Sequence, residues 1–181
     1  MSKSNNRGRR GRGGFVRTPK TMRRFFRLVR QDLAFREHDK ADFHRLGWGV
    51  MCSLAEALGV SLEYISKELA GDAVSGEVTL HSEKLHVVFQ AGGHPWGESF
   101  LWRTCRGRYD YTGRWNQWEP WESLLDMPAL AAKMHRQVAA DEQREACRAV
   151  TATGLAAEHE ARGGGAPPAQ PKRRECGVSW R

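Results

Sequence analysis

Hydrophobic side chains recur at intervals of three and four residues close to the N-terminus. They are Met22, Phe25, Phe26, Val29 and Leu33. This spacing is typical of a helix with one apolar face. Thr18 and Pro19 stand directly before it, where an N-cap and a first helical residue are favoured. We therefore predict a helix that begins at Thr18, buries its apolar side and carries its arginines on the other.

A second stripe at helical spacing follows Asp39, which is a favourable N-cap residue. Its apolar members are Phe43, Leu46, Val50, Leu54 and Leu58. Gly47 and Gly49 weaken this helix by about 1 kcal/mol each relative to alanine, or they allow a close helix crossing beside Trp48. Gly59 is expected to end the helix, because glycine tolerates the left-handed conformation found there.

Past residue 76 apolar and polar positions alternate, which is typical of strands. Four segments show this period, namely 77–82, 84–90, 98–105 and 108–112. Turn-forming residues separate them, so the pattern predicts an antiparallel sheet of three or four strands. Residues 116–123 are expected to lead back to helix, and a long C-terminal helix is predicted from Pro128 past Cys147. The fold class predicted is α+β.

Charge is distributed unevenly over the 181 residues. Residues 1–30 carry a net charge of +11, residues 31–160 carry −7 and residues 161–181 carry +4, which together give the net charge of +8. We predict three parts: a disordered arm rich in Arg and Gly over 1–17, a single α+β domain over 18–153, and a disordered basic tail over 154–181. A basic arm on an acidic body is suited to binding a polyanion.

One local motif, "LAEALGVSLEYISKELAG" at residues 54–71, predicts two helices joined by a tight turn, the second capped by Ser61. It resembles the helix-turn-helix of phage-repressor-like DNA-binding proteins. The matching positions are Ala55, Gly59, Val60, Ser61 and Ile65. The resemblance implies that the second helix enters a DNA groove, with Ser61, Ser66 and Lys67 among the contacts, and that the protein acts as a homodimer. An ordinary helical hairpin inside the core is the alternative.

Basic side chains of the arm and of the first helix are the main candidates for phosphate contacts. They are Arg7, Arg9, Arg10, Arg12, Arg17, Arg23, Arg24, Arg27 and Arg30. Arginine neutralises phosphates and stacks on bases, so binding to nucleic acid is expected to weaken with salt. A solubility tail and an anionic membrane surface are the alternatives for this segment.

Aromatic and arginine side chains alternate over residues 100–121. Trp102, Arg103, Arg106 and Arg108 are therefore predicted to contact single-stranded bases and their backbone. The alternative is that the tryptophans belong to the core, because large aromatic side chains are mostly buried.

No motif for catalysis, a metal or a cofactor is visible. The cysteines at 52, 105, 147 and 176 form no Cys-x-x-Cys pair, which argues against zinc-ribbon and redox sites. A polar group comprising His81, His86, His94, Glu98 and Cys105 matches no known spacing. We therefore predict no enzymatic activity, no cofactor and no metal.

These patterns predict a nucleic-acid-binding protein, with DNA slightly favoured over RNA. The alternative is an adaptor that binds a protein partner through the Trp-rich sheet and the C-terminal helix. Without an apolar run long enough to span a bilayer, the expected location is the cytoplasm, with nucleoid association as an option. An organellar presequence is the alternative that the Arg-rich N-terminus leaves open.

Overall fold

Three helices and a five-stranded antiparallel sheet make up the described part of the chain. The computed structural model describes residues 18–69, 75–92, 95–110 and 114–161, with side chains described as far as residue 151. The elements in chain order are α1 (Pro19–Val29), α2 (Glu37–Ala57), β1 (Ile65–Glu68), β2 (Glu77–His81), β3 (Leu85–Gln90), β4 (Ser99–Thr104), β5 (Gln117–Pro120) and α3 (Met127–Ala161). Two short 3₁₀ helices, Leu62–Tyr64 and Trp121–Leu125, precede β1 and α3. The α+β class is confirmed.

The sheet is a meander in which every strand pairs with the next one along the chain. The order is β1-β2-β3-β4-β5, and all four pairings are antiparallel. Val78 lies opposite Phe89, and Val87 lies opposite Trp102. Because successive side chains point to opposite faces of a sheet, this register collects the large apolar side chains on a single face.

Helix α1 attaches to the sheet through the apolar face that the sequence predicts. The side chain of Thr18 accepts a hydrogen bond of 3.1 Å from the backbone N–H of Thr21, so the predicted N-cap is confirmed. The Phe25 ring is fully buried and meets the rings of Phe43, Phe89 and Trp121, with centroids 5.4–6.3 Å apart. Such ring pairs stabilise a core beyond the burial of area alone.

Helix α2 approaches both the sheet and α1 closely at Gly47. A Cβ atom at this position would lie 3.3 Å from Cγ2 of Val78 and 3.5 Å from the ring of Phe25. The expectation that a glycine permits a close crossing is therefore confirmed at Gly47. The helix begins at Glu37, two residues before the predicted cap, and Gly59 follows it with φ +65°, as expected for a residue that ends a helix.

Three assignments made from sequence are wrong. Residues 62–64 form a 3₁₀ helix and Ile65–Glu68 is strand β1, so the helix predicted after Ser61 is absent and the helix-turn-helix over 54–71 is not formed. Tertiary pairing of β1 with β2 overrides a weak local helical preference here. Residues 108–110 form a turn instead of a strand. Gln117–Pro120, which precedes the helices as expected, is itself strand β5, so the sheet has five strands and not the three or four predicted.

The chain divides into two units, Met1–Asp141 and Glu142–Arg181, and the whole sheet belongs to the first. Helix α3 begins at Met127 with Pro128 in its first turn, as predicted, and continues to Ala161, beyond residue 153 where the domain was expected to end. The predicted arm over 1–17 and residues 162–181 of the predicted tail lie outside the described residues. None of the described helices is long and apolar enough to cross a membrane.

Candidate functional site

One face of the sheet is without a covering helix in the part of the chain that the structure describes. Phe25 of α1, Gly47 of α2, and Lys133 and Asp141 of α3 all meet side chains of the opposite face. We call the side without a helix the open face, although Thr79, Val88 and Leu101 at its centre are buried.

Side chains on the open face form three rows across neighbouring strands, because paired residues point the same way. The rows are Glu68–Glu77–Gln90, Ser66–Thr79–Val88–Leu101–Trp118 and His81–His86–Arg103. The first row carries two carboxylates and the third carries imidazoles and a guanidinium. Charge of opposite sign therefore lies at the two ends of the strands.

A groove of about 510 Å³ lies on the β1 and β2 side of the open face. It is lined by Glu63, Tyr64, Ser66, Glu68, Glu77, Thr79, His81, His86, Arg108 and Tyr109. The hydroxyl groups of Ser66 and Thr79 hydrogen-bond each other at 2.7 Å in its middle row. The groove thus combines hydroxyl, imidazole and carboxylate groups of the sheet with Tyr64 of the 3₁₀ helix and with Arg108 and Tyr109 of the loop after β4.

The loop after β4 brings Arg108 and Tyr109 to this groove. The Arg108 guanidinium lies 4.9 Å from the centroid of the Tyr64 ring, within the distance of a cation–π contact. The backbone N–H of Arg108 donates to Glu83 at 3.2 Å, which holds the loop against the turn between β2 and β3. The Tyr109 ring is 80% exposed, so it offers a free aromatic surface beside a fixed cation.

Burial and nearby arginines keep the two imidazoles of the groove neutral. Burial, followed by the charges of Arg103 and His81, lowers the pKa of His86 to about 4. Burial and the charges of Arg103 and Arg108 also lower the pKa of His81, against the opposing charges of Asp110 and Glu83. At neutral pH the positive charge of this end of the open face therefore belongs to the arginines.

The carboxylates at the other end of the groove influence each other. Glu68 and Glu77 are directly opposite in the β1–β2 pairing. Burial, followed by the charge of Glu68, raises the pKa of Glu77. Glu77 and His81 are four residues apart on one strand, so the two ends are separated by about 13 Å.

An aromatic group occupies the β5 side of the open face. The rings of Trp96 and Trp118 meet edge to face with centroids 4.8 Å apart. Trp118 is 41% exposed and Trp115 is 91% exposed. Large exposed aromatic side chains are common where a ligand or partner binds.

The predicted basic residues of α1 lie on its outer surface but do not all remain available. Arg23, Arg24, Arg27 and Arg30 are exposed. Arg24 binds Asp42 of α2 and Arg30 binds Glu122. Arg27 and Lys20 have no acidic partner among the described residues. Arg7, Arg9, Arg10, Arg12 and Arg17 lie outside the described residues.

Several other predicted contacts occupy different places from those expected. The prediction that Trp102 contacts bases is wrong, because its side chain is fully buried on the helix-covered face. Ser61 precedes the 3₁₀ helix without capping it, and Lys67 points to the helix side, 6.0 Å from the Trp48 ring. Ser66 and Arg103 lie on the open face, on strands instead of a recognition helix. Arg106 is exposed in the loop that also carries Arg108.

The polar residues considered for catalysis are only partly brought together. His81 and His86 have rings 4.8 Å apart, while His94 lies outside the described residues. Burial raises the pKa of the Cys105 thiol, which disfavours the nucleophilic thiolate at neutral pH. Among the residues described, no three His, Cys, Asp or Glu side chains form a metal-binding group.

Sequence analysis missed the groove as a unit, although it named Ser66, His81, His86 and Arg108 separately. Tyr64 was not singled out, and Glu63 and Glu68 were assigned to a helix. A usable signal was present in "EVTLH", where Glu77, Thr79 and His81 occupy alternate positions of a strand. Those positions mark one polar face, but the register that sets them beside β1 is not visible in the sequence.

Comparison with known proteins finds no relative of this chain. No protein family matches it, and no similar protein is found among curated sequences or solved structures.

Proposed function

We propose that this protein is a non-enzymatic binder of single-stranded nucleic acid that uses the open face of its sheet and its basic N-terminal segment. The observation that supports this most directly is the groove in which Tyr64, Tyr109 and Arg108 meet. Aromatic rings and guanidinium groups are the groups on which unpaired bases stack, and here the 3₁₀ helix and the loop after β4 place them beside the sheet.

Stacking in this groove is favoured by the way its aromatic groups are held. Tyr64 is half-buried and already in contact with Arg108, so little freedom remains to be lost on binding. Tyr109 is exposed and free to cover a base from the other side. A base–aromatic contact of this kind stabilises a complex by about 1–3 kcal/mol.

Phosphate contacts are assigned to the arm and to the outer surface of α1. Residues 1–17 carry six Lys or Arg and no acid. Lys20 and Arg27 continue this charge on the helix without an acidic partner in the described part of the chain. The body is acidic, so these cations are needed to attract a polyanion; because α1 packs on the covered side of the sheet, Lys20 and Arg27 are assigned to phosphates outside the groove.

The ligand we propose is a single strand and not the duplex that the helix-turn-helix prediction implied. The second helix of that motif, which would enter the major groove, is replaced by a 3₁₀ turn and strand β1. Stacking on a sheet requires unpaired bases. The sugar is not distinguished by these contacts, so both DNA and RNA strands are proposed as ligands.

The test is fluorescence anisotropy of the full chain with a labelled 20-nucleotide strand of mixed sequence, as DNA and as RNA, against the matching duplex. We expect tighter binding to both single strands. Tyr109→Ala should weaken binding by about fivefold or more, while Tyr109→Phe and the distant surface variant Arg136→Gln should leave it unchanged. Replacing Arg7, Arg9, Arg10, Arg12 and Arg17 by Gln should flatten the dependence of log K on log salt by up to about 3.5, at about 0.7 per phosphate contact.

The proposal is overturned if the full chain binds no strand at low salt, or if Tyr109→Ala binds as well as the parent while the duplex is preferred. A second candidate function, docking of a protein partner, is favoured by the exposed indole of Trp115. That function predicts affinity for a partner that is insensitive both to salt and to the loss of the arm.

A further inference from the structure

We propose that the groove on the open face selects nucleotides whose base carries an exocyclic amino group in place of a carbonyl, so that cytosine and adenine are preferred to thymine and uracil. The amino group is assigned to Glu77 and Glu68, and the phosphate side of the nucleotide to Arg108. This inference rests on the proposed function and names the chemical class that the same groove accepts.

The carboxylates supply hydrogen-bond acceptors that the described part of the fold leaves unused. Within that part, the side chains of Glu68 and Glu77 accept no hydrogen bond and form no ion pair. An ionised carboxylate only accepts hydrogen bonds. Glu77 is half-buried, so a donor supplied by a ligand would offset part of the cost of its burial.

The opposite end of the groove determines the direction in which a nucleotide lies. The charge of Arg108 acts on His81, and His81 lies four residues, about 13 Å, along β2 from Glu77. A phosphate near Glu68 and Glu77 is repelled, whereas one near Arg108 is attracted. The base therefore extends from the cationic end over the Ser66 and Thr79 hydroxyls, with its far edge at the carboxylates.

Base selection follows from the groups at that far edge. Cytosine presents an N4 amino group and adenine an N6 amino group, and both donate to carboxylate oxygens. Thymine and uracil present the O4 carbonyl at the equivalent position, which places two acceptors against each other. A matched donor–acceptor pair discriminates between bases by enough to change affinity about fivefold or more.

A basic peptide is the other ligand that would satisfy carboxylates. Lysine and arginine side chains donate strongly to such groups. Arg108 disfavours such a peptide at its end of the groove, although Glu63 lines the groove beside Tyr64. The nucleotide is preferred here because Tyr64, Tyr109 and Arg108 offer stacking surfaces that a lysine or arginine side chain does not need.

The experiment compares 12-nucleotide dC, dA and dT strands, and the corresponding C and U RNA strands, binding to the full chain at pH 7.5 by anisotropy. We expect dC and dA to bind at least about fivefold more tightly than dT, and C RNA more tightly than U RNA. Glu77→Gln should abolish or reverse the preference, because an amide offers a donor to O4. Glu68→Gln, on an exposed side chain that folding tolerates, should reduce it, and Glu56→Gln on α2 should not change it.

The outcomes separate this inference from the function on which it rests. Equal binding of all strands overturns the base selection and leaves single-strand binding intact. Binding of none overturns both. A lysine-rich peptide that displaces dC from the parent protein but not from Glu77→Gln overturns the nucleotide assignment in favour of a protein ligand. A dC preference that survives in Glu77→Gln and Glu68→Gln shows that other groups select the base.

Discussion

Arg24 of α1 donates to the carboxylate of Asp42 of α2, although it stands among arginines that look equivalent in the sequence. Asp42 also accepts from Arg45 at 2.9 Å. Burial opposes ionisation of this carboxyl, but the hydrogen bond from Arg45 and the charges of Arg24, Arg45 and His38 together lower its pKa. Arg24 therefore holds α1 to the body, whereas Arg27 has no acidic partner among the described residues and remains available for a ligand.

We expect Arg24→Gln to affect stability and Arg27→Gln to affect binding. Arg24→Gln should lower the free energy of unfolding by about 1 kcal/mol, because Asp42 loses a partner, with little change in affinity for a single strand. Arg27→Gln should leave stability within about 0.5 kcal/mol and flatten the salt dependence of log K by about 0.7. Urea unfolding and anisotropy on the same two proteins measure both quantities. Equal loss of affinity in the two variants would contradict this division.

Trp102 belongs to the core, and its replacement should affect folding and not binding. Trp102→Phe removes part of a fully buried indole, so we expect the free energy of unfolding to fall by about 1–3 kcal/mol. Trp115→Phe is the matched control. Trp115 is 91% exposed, so the free energy of unfolding of this variant should equal that of the parent. Chemical denaturation and oligonucleotide titration give the two readouts. A loss of affinity in folded Trp102→Phe protein would place this indole in the interface after all.

His86 should make the protein less stable as the pH falls through the weakly acidic range. Its pKa is lowered from 6.5 to about 4 by burial and by Arg103 and His81, so the unfolded chain takes up a proton between these values and the folded chain does not. The free energy of unfolding contributed by this group is fully present above pH 6.5 and is lost towards pH 4, by on the order of 2 kcal/mol.

The measurement is urea unfolding at several pH values between 4 and 7 for the parent and His86→Gln. The variant should show a shallower decline, because one of the groups that protonate on unfolding has been removed. His81 and His44, whose pKa values are lowered chiefly by burial, retain the remaining part of the decline. An unchanged pH profile in the variant would contradict the assignment to His86.

Sequence periodicity predicted the elements that are long enough for their apolar positions to show a clear helical or strand period. Helix α1 was predicted from Thr18 and its apolar stripe, and β2, β3 and β4 from alternation within two residues of their ends. Strands β1 and β5 each contain four residues, too few to separate period two from a helical turn. Their conformation depends on pairing with a neighbour, which a local pattern does not contain.

The candidate site was harder to predict for the same reason. Tyr64 and Arg108 are 44 positions apart in the sequence and meet only because the loop after β4 returns to β1. Residue type pointed to Arg108, which the fold brings to the groove. It also gave Trp102 incorrectly, because the side of a strand that becomes buried depends on where the helices pack.

The outermost strands of the described sheet are poor templates for further strands. β1 ends in Ser66, Lys67 and Glu68, which are exposed and polar, and β5 closes on Pro120, which has no N–H to donate. Short, charged or proline-ended edges hinder the addition of a foreign strand. The described sheet thus leaves one face without a helix while its two outer strands discourage edge-to-edge pairing between copies of the chain.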